Sequence, residues 1–337
     1  MVIRIFLLRR LVITVPVLLG ACFATFMLVR IGAVDPATAL AGPLADASEI
    51  DRLRRNLGLD RPLLEQFADY IGRLAHGDFG KSWQSGLPVT EEIGTRIGAT
   101  LELVVVSLLL SLAIAVPAGL RAAQRPNGVV DQVSRAASSL LYAVPPYWLG
   151  LMLIYALFFR AGVAPAPMGR LPMDVFPPPF VTGSNLVDAV LAGEPGVIGA
   201  QLRQMSLPVL CLTVTAVAPM LKQVRAIAID VVGSEYMRVA RAYGYKPSTM
   251  TRIVLRNSLV PTLTFVGGEL ASLLATTALI EFIFAWGGMG QWGLNAILAG
   301  DYAAVQGFVL VLSLFSIVVF AVVDLLVLVS EPRAAGR

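Results

Sequence analysis

The sequence predicts an all-α membrane protein with six transmembrane helices. Of its 337 residues, 57% are hydrophobic and only 14% are charged, whereas a soluble domain carries about 25% charged residues. The charges are clustered, which leaves uncharged runs long enough to match the roughly 20 residues that cross a bilayer as a helix. Backbone groups in lipid must be paired within their own segment, and the alternation of a membrane β-barrel is absent, so these runs predict helices.

Five uncharged runs and one interrupted run supply the six predicted helices. Glu269 and Glu281 interrupt the fifth run. Interior prolines, among them the pair Pro145 and Pro146, predict kinks that neighbouring helices tolerate in a membrane bundle. In chain order, the predicted spans are residues 11–29, 103–120, 136–159, 204–221, about 263–285 and 303–323.

The basic residues predict the orientation of the chain, because cytoplasmic segments near membrane ends are enriched in Lys and Arg. Arg9 and Arg10 precede the first span, Arg121 and Arg125 follow the second, and the long connection after the fourth is also basic. Both termini are therefore predicted to be cytoplasmic. The net charge of +4 reflects this asymmetry and does not favour a nucleic-acid surface.

The stretch GDFGKS, residues Gly77–Ser82, ends like a phosphate-binding loop. Such a loop needs a glycine five residues before its Gly-Lys pair, and Ala75 stands there. The orientation also places the stretch in the segment outside the cytosol. A Gly-rich turn and a docking contact for an external protein remain as alternatives.

The external segments carry local signals of their own. Ser48 is predicted to cap a helix that ends at Gly58, and Pro62 is predicted to open a second helix. The other external segment, residues 160–203, is rich in Pro and Gly and predicts an ordered loop.

The connection after the fourth span is much longer than a simple turn requires. Its pattern predicts a short helix capped by Ser234 and ended by Gly244, and a second short helix that begins at Pro247. Arginines surround both. An amphipathic pair on the lipid surface and a docking surface for a cytosolic protein are both consistent with this pattern.

This connection resembles the coupling loop of binding-protein-dependent ABC importer permeases, in particular the dipeptide/oligopeptide (peptide/nickel) branch. The resemblance extends over most of the chain, through GDFGKS, RIGATLE at residues 96–102, YWLG at 147–150 and EFIFAWGGMG at 281–290. Glu269 departs from the uncharged polar residue expected at its position. The resemblance to the family holds despite this departure, but the departure leaves the substrate class undetermined.

The resemblance implies a type I ABC importer permease fold in three parts. Residues 1–31 hold the first transmembrane helix with its cytoplasmic N-terminus, residues 32–100 the external segment with short helices, and residues 101–337 the permease core. The core has five transmembrane helices and the coupling loop 226–261.

The resemblance also implies the partners. They are a second homologous permease, two cytosolic ATP-binding subunits that hold ATP and Mg, an external substrate-binding protein and the lipid of the bacterial plasma membrane. The chain itself is then expected to be a multi-pass inner-membrane protein without catalytic activity, cofactor or metal.

Three groups of residues follow from the resemblance. The implied contacts with the ATPase are Glu235, Tyr236, Arg238, Val239, Ala240, Arg241, Tyr243, Gly244 and Pro247. The candidates for the translocation path are Tyr147, Trp148 and Glu269. The candidates for binding-protein docking are Gly77, Asp78, Gly80, Lys81 and Ser82.

The position of Glu269 supports two interpretations. A carboxylate inside a span costs about 2.5–3.5 kcal/mol on insertion scales, so it usually faces a cavity or a partner. It either faces the path and meets a cation of the substrate, or makes a buried hydrogen bond to a neighbouring helix or to the second permease.

The sequence leaves alternatives for the transported substrate and for the type of transporter. Di- and oligopeptides are the leading expectation, and nickel chelates, glutathione and oligosaccharides are carried by similar permeases. A secondary transporter or a membrane scaffold would need no ATPase partner, and the coupling loop disfavours both.

Overall fold

The computed structural model describes residues 2–31, 36–42, 45–56 and 58–330. These residues form helices and no strand, with one isolated bridge between Lys81 and Pro88. The prediction of an all-α protein is therefore confirmed.

The chain divides into two compact units. The first comprises residues 1–97 and 291–317, and the second comprises residues 98–290 and 318–337. The helices that begin in the first unit are α1 (Val2–Ile31), α2 (Pro36–Ala41), α3 (Ala47–Asn56), α4 (Leu63–Ala75), α5 (Val89–Gln124) and α14 (Tyr302–Ser330). The helices that begin in the second are α6 (Val129–Tyr142), α7 (Pro146–Leu153), α8 (Asn185–Ala192), α9 (Pro195–Gln204), α10 (Ser206–Gly233), α11 (Glu235–Ala242), α12 (Pro247–Ile283) and α13 (Met289–Ala299).

Four helices of the described residues, α5, α10, α12 and α14, are long and apolar enough to cross a membrane. A fifth is reached if α6 and the stretch Pro146–Arg160 are taken as one bent span. The predicted first span, residues 11–29, falls in α1 and includes the apolar stretch Thr14–Met27.

The predicted third span, 136–159, is broken in two. Helix α6 ends at Tyr142, and α7 starts after Pro145, where the chain turns by 94°. Pro145 is extended and Pro146 lacks the N–H group that a continuous helix would need, so Pro146 opens a new helix instead. The end of α7 widens into a π-helix at Ile154–Arg160.

The second short helix predicted at Pro247 is wrong as a separate element. Pro247 does occupy the first turn, but the helix continues without a break through Pro261 to Ile283 and includes the predicted fifth span. Its length of 37 residues corresponds to about 55 Å. A proline inside a helix costs one hydrogen bond, and here that cost did not end the helix.

Two external predictions are also corrected. Asp46, and not Ser48, caps α3, because its Oδ1 accepts the Glu49 N–H at 2.8 Å while the Ser48 hydroxyl donates to that same carboxylate. Segment 160–203 contains two helices, α8 and α9, which its Pro and Gly content concealed. Gly58 is left-handed, with φ +63°, and α4 follows Pro62 as predicted.

Candidate coupling surface and transport path

Helix α11 exposes a continuous apolar and aromatic face. Tyr236, Val239 and Tyr243 lie three and four residues apart and are 47%, 53% and 79% exposed. Because this spacing puts them on one side of a helix, they form a single surface, which we call the coupling face. Exposed tyrosines of this kind supply large contact area with one polar end, which suits a protein partner.

The opposite face of α11 is anchored in the second unit. Met237 is 1% exposed and packs in a cluster with Leu120 of α5, Ala228 of α10 and Val254 of α12. Ala240 is also buried, so it supports the anchor and does not belong to the coupling face with the tyrosines. Met237 therefore packs α11 against three long helices.

The ends of α11 differ in part from the prediction. Ser234 occupies the N-terminal position, but its hydroxyl donates to the Val231 carbonyl at 2.6 Å and does not cap the helix. Gly244 follows the helix in the left-handed region at φ +71°, with open space around it. The predicted turn at Gly244 is thus present.

The arginines of α11 leave the coupling face free. Arg238 pairs with Glu235 at 3.0 Å on the exposed side of the helix. Arg241 donates to the Val232 carbonyl at 2.8 Å and ties α11 back to α10. Both remain exposed and frame the apolar face with positive charge.

The candidate path residues lie on two helices that pack together, α7 and α12. Tyr147 and Trp148 follow the break at Pro145 and are about half exposed. Glu269 is partly exposed and lies in the middle of α12, about 33 Å along the axis from Pro247. The described residues offer Glu269 no hydrogen bond or ion pair.

Polar side chains accompany Glu269 on one face of α12. Three polar residues lie on the same helical face as Glu269: Thr262 seven residues before it, Ser272 three residues after it and Thr276 seven residues after it. All three are at least partly exposed. The other side of the helix is packed, since a side chain added at Gly267 would meet Val323 at 2.9 Å. This arrangement defines a polar stripe along a predicted span.

The motifs RIGATLE and EFIFAWGGMG meet in the second unit and form a buried group that we call the Thr100 cluster. The Thr100 hydroxyl donates to Glu281 at 2.5 Å and accepts the Met289 N–H at 2.8 Å. The Trp286 indole donates to the Ala99 carbonyl at 3.1 Å. Both motifs are visible in the sequence, but their contact is not, because no local spacing encodes a contact across some 180 residues.

The segment between α7 and α10 is fastened beside this cluster. Glu102 accepts hydrogen bonds from Ser184, at 2.8 Å, and from Gln201, and Arg170 donates to the Gly183 carbonyl at 2.8 Å. Burial lowers the pKa of Arg170. The segment is therefore an ordered part of the second unit.

Asp188 organises the turn before α8. Burial raises the pKa of Asp188, but the hydroxyl and N–H groups of Thr182 and the N–H groups of Val181 and Gly183 donate to it, and together they hold its pKa below the ordinary value. A carboxylate that accepts several backbone N–H bonds is favoured in its charged form.

The stretch Gly77–Ser82 is a turn in the first unit. Asp78 accepts the Gly80 N–H at 2.8 Å, and the buried Ser82 hydroxyl donates to Asp301 at 2.5 Å. Lys81 is exposed, and the next helix begins only at Val89. A phosphate-binding loop would lead directly into a helix, so the geometry agrees with the missing glycine at Ala75.

Comparison with protein-family models identifies the chain. A model described as a binding-protein-dependent transport system inner membrane component matches residues 115–336, and a model of the N-terminal part of such a membrane component matches residues 2–104. The chain belongs to this family. The permease is accordingly an inner membrane component of a binding-protein-dependent transport system.

Individual relatives match the permease along nearly its whole length. The "Probable D,D-dipeptide transport system permease protein DdpB" of Escherichia coli (strain K12) is 38% identical, over 94% of this chain and 93% of the relative. The dipeptide transport system permease protein of the same strain is 35% identical over 97% and 98%. An oligopeptide transport system permease protein of Bacillus subtilis is 28% identical over 97% and 98%.

The structure arranges the three candidate groups of the permease in different ways. All nine coupling residues lie on or beside α11, and the structure brings them together, although Ala240 faces inward. Tyr147 and Trp148 lie on one helix of a packed pair and Glu269 on the other, and no hydrogen bond or ion pair joins these described side chains. Among the described residues, no three acidic, His or Cys side chains are grouped as a metal site.

Proposed function

We propose that this permease forms half of the translocation path of an ATP-driven importer for di- and oligopeptides. The peptide class is supported by the names of its relatives, which include D,D-dipeptide, dipeptide and oligopeptide permeases. A second permease completes the path, an external binding protein delivers the substrate, and two cytosolic subunits hydrolyse ATP with Mg.

In this proposal the chain crosses the membrane six times with both termini in the cytosol. The four long apolar helices and the bent pair supply five crossings, and α1 supplies the sixth. The basic segments, including α11 and the start of α12, then lie in the cytosol. Gly77–Ser82 lies outside, where Lys81 is available to the docking binding protein.

The coupling face is the observation that carries the proposal. Its exposed Tyr236, Val239 and Tyr243 need a partner surface, and Met237 links the same helix to α5, α10 and α12. Closure of the ATPase dimer moves α11, and the buried anchor passes the movement to the helices around the path. Such a movement requires that the ATPase contact α11 with different affinity in the two states.

The ATP-driven role is tested by the substitution Val239→Glu in the complete transporter, reconstituted with its ATPase subunits and binding protein. A carboxylate in the middle of the coupling face loses its hydration when a groove covers it. We expect peptide uptake to fall at least ten-fold, with intact insertion of the chain. The control Ser248→Glu places the same charge in the exposed first turn of α12 and keeps uptake within two-fold of the native rate.

Two results would contradict this role. One is normal ATP-driven uptake by the Val239→Glu transporter. The other is uptake by the permease pair without any ATPase, which would indicate a secondary transporter. If the transporter takes up nickel chelates, glutathione or oligosaccharides in place of peptides, the ATP-driven mechanism stands and the proposed peptide substrate is wrong.

Glu269 is assigned to the path as a contact for the peptide ammonium. Its partial exposure, its lack of a partner among the described residues and the polar stripe around it support this role. Glu269→Gln keeps the shape and removes the charge, so uptake of a peptide with a free amino terminus should fall several-fold. Uptake of the N-acetylated peptide should not change. Equal uptake of the free peptide by both proteins would assign Glu269 to a structural role.

A further inference from the structure

The first unit contains a cavity of about 640 Å³. It is bordered by α1, α4, the turn Gly77–Ser82 and the start of α14. Its volume is in the range of small-molecule sites, about 300–1,000 Å³. The import role proposed above uses Lys81 at the edge of this cavity for binding-protein docking and assigns no ligand to the cavity itself.

Aromatic side chains form much of the cavity wall. Phe26 and Tyr70 stack with their ring centroids 6.0 Å apart, and Trp83 meets Tyr302 edge to face at 5.3 Å. Phe26 and Tyr70 are buried, whereas Trp83 and Tyr302 are partly exposed and present ring surface to an apolar or aromatic group. The cavity is therefore suited to an organic ligand, in contrast to a bare ion.

The charges in the cavity leave an excess of cations. Arg61 is paired with Asp69 at 3.2 Å, and Asp78 accepts the Gly80 N–H. Arg73 and Lys81 also line the cavity, and neither has a carboxylate partner among the described residues. Three cations and two carboxylates leave the lining with one positive charge in excess, which beside the aromatic walls suits the carboxylate of an otherwise apolar ligand.

A buried amide gives a third, independent indication. Gln66 lines the cavity and is 7% exposed, and its Nε2 donates to the carbonyls of Leu59 and Arg61. Its Oε1 is buried and has no hydrogen-bond donor among the described residues. An unpaired buried acceptor is unfavourable, so this wall favours a ligand that carries an N–H group.

We propose that this cavity binds the C-terminal part of a short peptide. Arg73 and Lys81 hold the carboxylate, the amide N–H lies towards Gln66, and the side chain enters the aromatic wall. The site is separate from the polar stripe of α12 that the proposed path uses. The choice of a peptide over other amide-linked acids rests on the proposed function, whereas the requirement for a carboxylate does not.

The test is equilibrium binding of the labelled dipeptide Ala-Phe to the complete transporter in lipid nanodiscs, without the external binding protein. The double variant Arg73→Gln and Lys81→Gln should weaken binding at least ten-fold. The matched control, Arg52→Gln and Arg55→Gln, removes two exposed arginines of α3 that do not line the cavity, and should bind like the native protein. The peptide amide of Ala-Phe, which lacks the carboxylate, should bind native transporter at least ten-fold more weakly.

Two results would overturn the site. One is the absence of saturable Ala-Phe binding to native transporter, and the other is equal binding by native protein and the Arg73/Lys81 variant. A variant that binds Ala-Phe normally but loses affinity for the binding protein would assign the cavity to protein docking instead. ATP-driven uptake is measured in parallel, so failure of this site with normal uptake leaves the proposed import role intact.

Discussion

The coupling helix α11 and the Thr100 cluster use the same kinds of residue for opposite purposes. Both combine aromatic side chains with glycines. In α11 the tyrosines are exposed and Gly244 has open space around it, whereas in the Thr100 cluster Trp286 is buried and a side chain added at Gly288 would lie 2.4 Å from Glu281. One region presents an uncovered aromatic face, and the other is covered by its own chain.

This difference shows how to separate an interface from a core in a membrane protein. Exposed apolar residues alone are uninformative here, because lipid covers much of the surface. Tyr243 is informative because it lies in a basic segment with Arg238 and Arg241, which lipid hydrocarbon does not cover. Glycine gives a second criterion. At a glycine used for close packing, an added methyl group clashes with neighbouring atoms, whereas at a glycine used for a turn, the substitution costs only the strain of a positive φ.

The largest expected effect comes from Gly98→Ala beside the Thr100 cluster. An added Cβ would lie 2.4 Å from the Gly183 backbone carbon, and backbone cannot rotate away as a side chain can. We expect a loss of about 2–3 kcal/mol in the free energy of unfolding, typical of overpacking. The measurement is the loss of monodisperse transporter on heating in detergent, for each variant.

The matched control for this prediction is Gly94→Ala, one turn earlier in the same helix. A Cβ at Gly94 has no neighbour within 4 Å. Its substitution should stabilise α5 by about 0.5–1 kcal/mol, because alanine loses less backbone freedom than glycine in a helix. Equal thermal behaviour of the two variants would show that the packing at Gly98 adjusts freely, and would remove the contrast between the two regions.

Much of the helical content was predictable from the sequence, because it depends on local composition. Uncharged runs identified the regions of the long helices, and Gly244 marked the end of α11. The sequence predicted a kink at Pro145 and ended the coupling loop at Pro261, whereas the helix breaks at Pro145 and continues through Pro261. Neighbouring packing decides which proline interrupts a helix, and packing is not a local property.

The sequence predicted which residues belong to the candidate site, but not which of them share an exposed surface. The resemblance grouped Ala240 with the tyrosines as ATPase contacts, whereas the structure turns it inward beside Met237. These positions are less than two turns apart, and only contact with other helices determines which edge of the apolar stripe is buried. The contact between Thr100 and Glu281 likewise arises from tertiary packing over a long sequence separation.

The smaller expected effect on stability comes from Gly244→Ala after α11. The φ angle of +71° costs a residue with a Cβ about 1–2 kcal/mol, but no atom lies in the way of the methyl group. Because this turn is short and exposed, the strain can be relieved by a local change in the direction of α11. We therefore expect a fall of about 1 kcal/mol or less in the free energy of unfolding, together with a several-fold loss of peptide-dependent ATP hydrolysis by the assembled transporter.

The control is Asn at the same position, which tolerates the left-handed region and should restore most of the hydrolysis. If Gly244→Ala instead unfolds the chain as readily as Gly98→Ala, with no separate loss of coupling, α11 is part of the core and the distinction between the two regions fails.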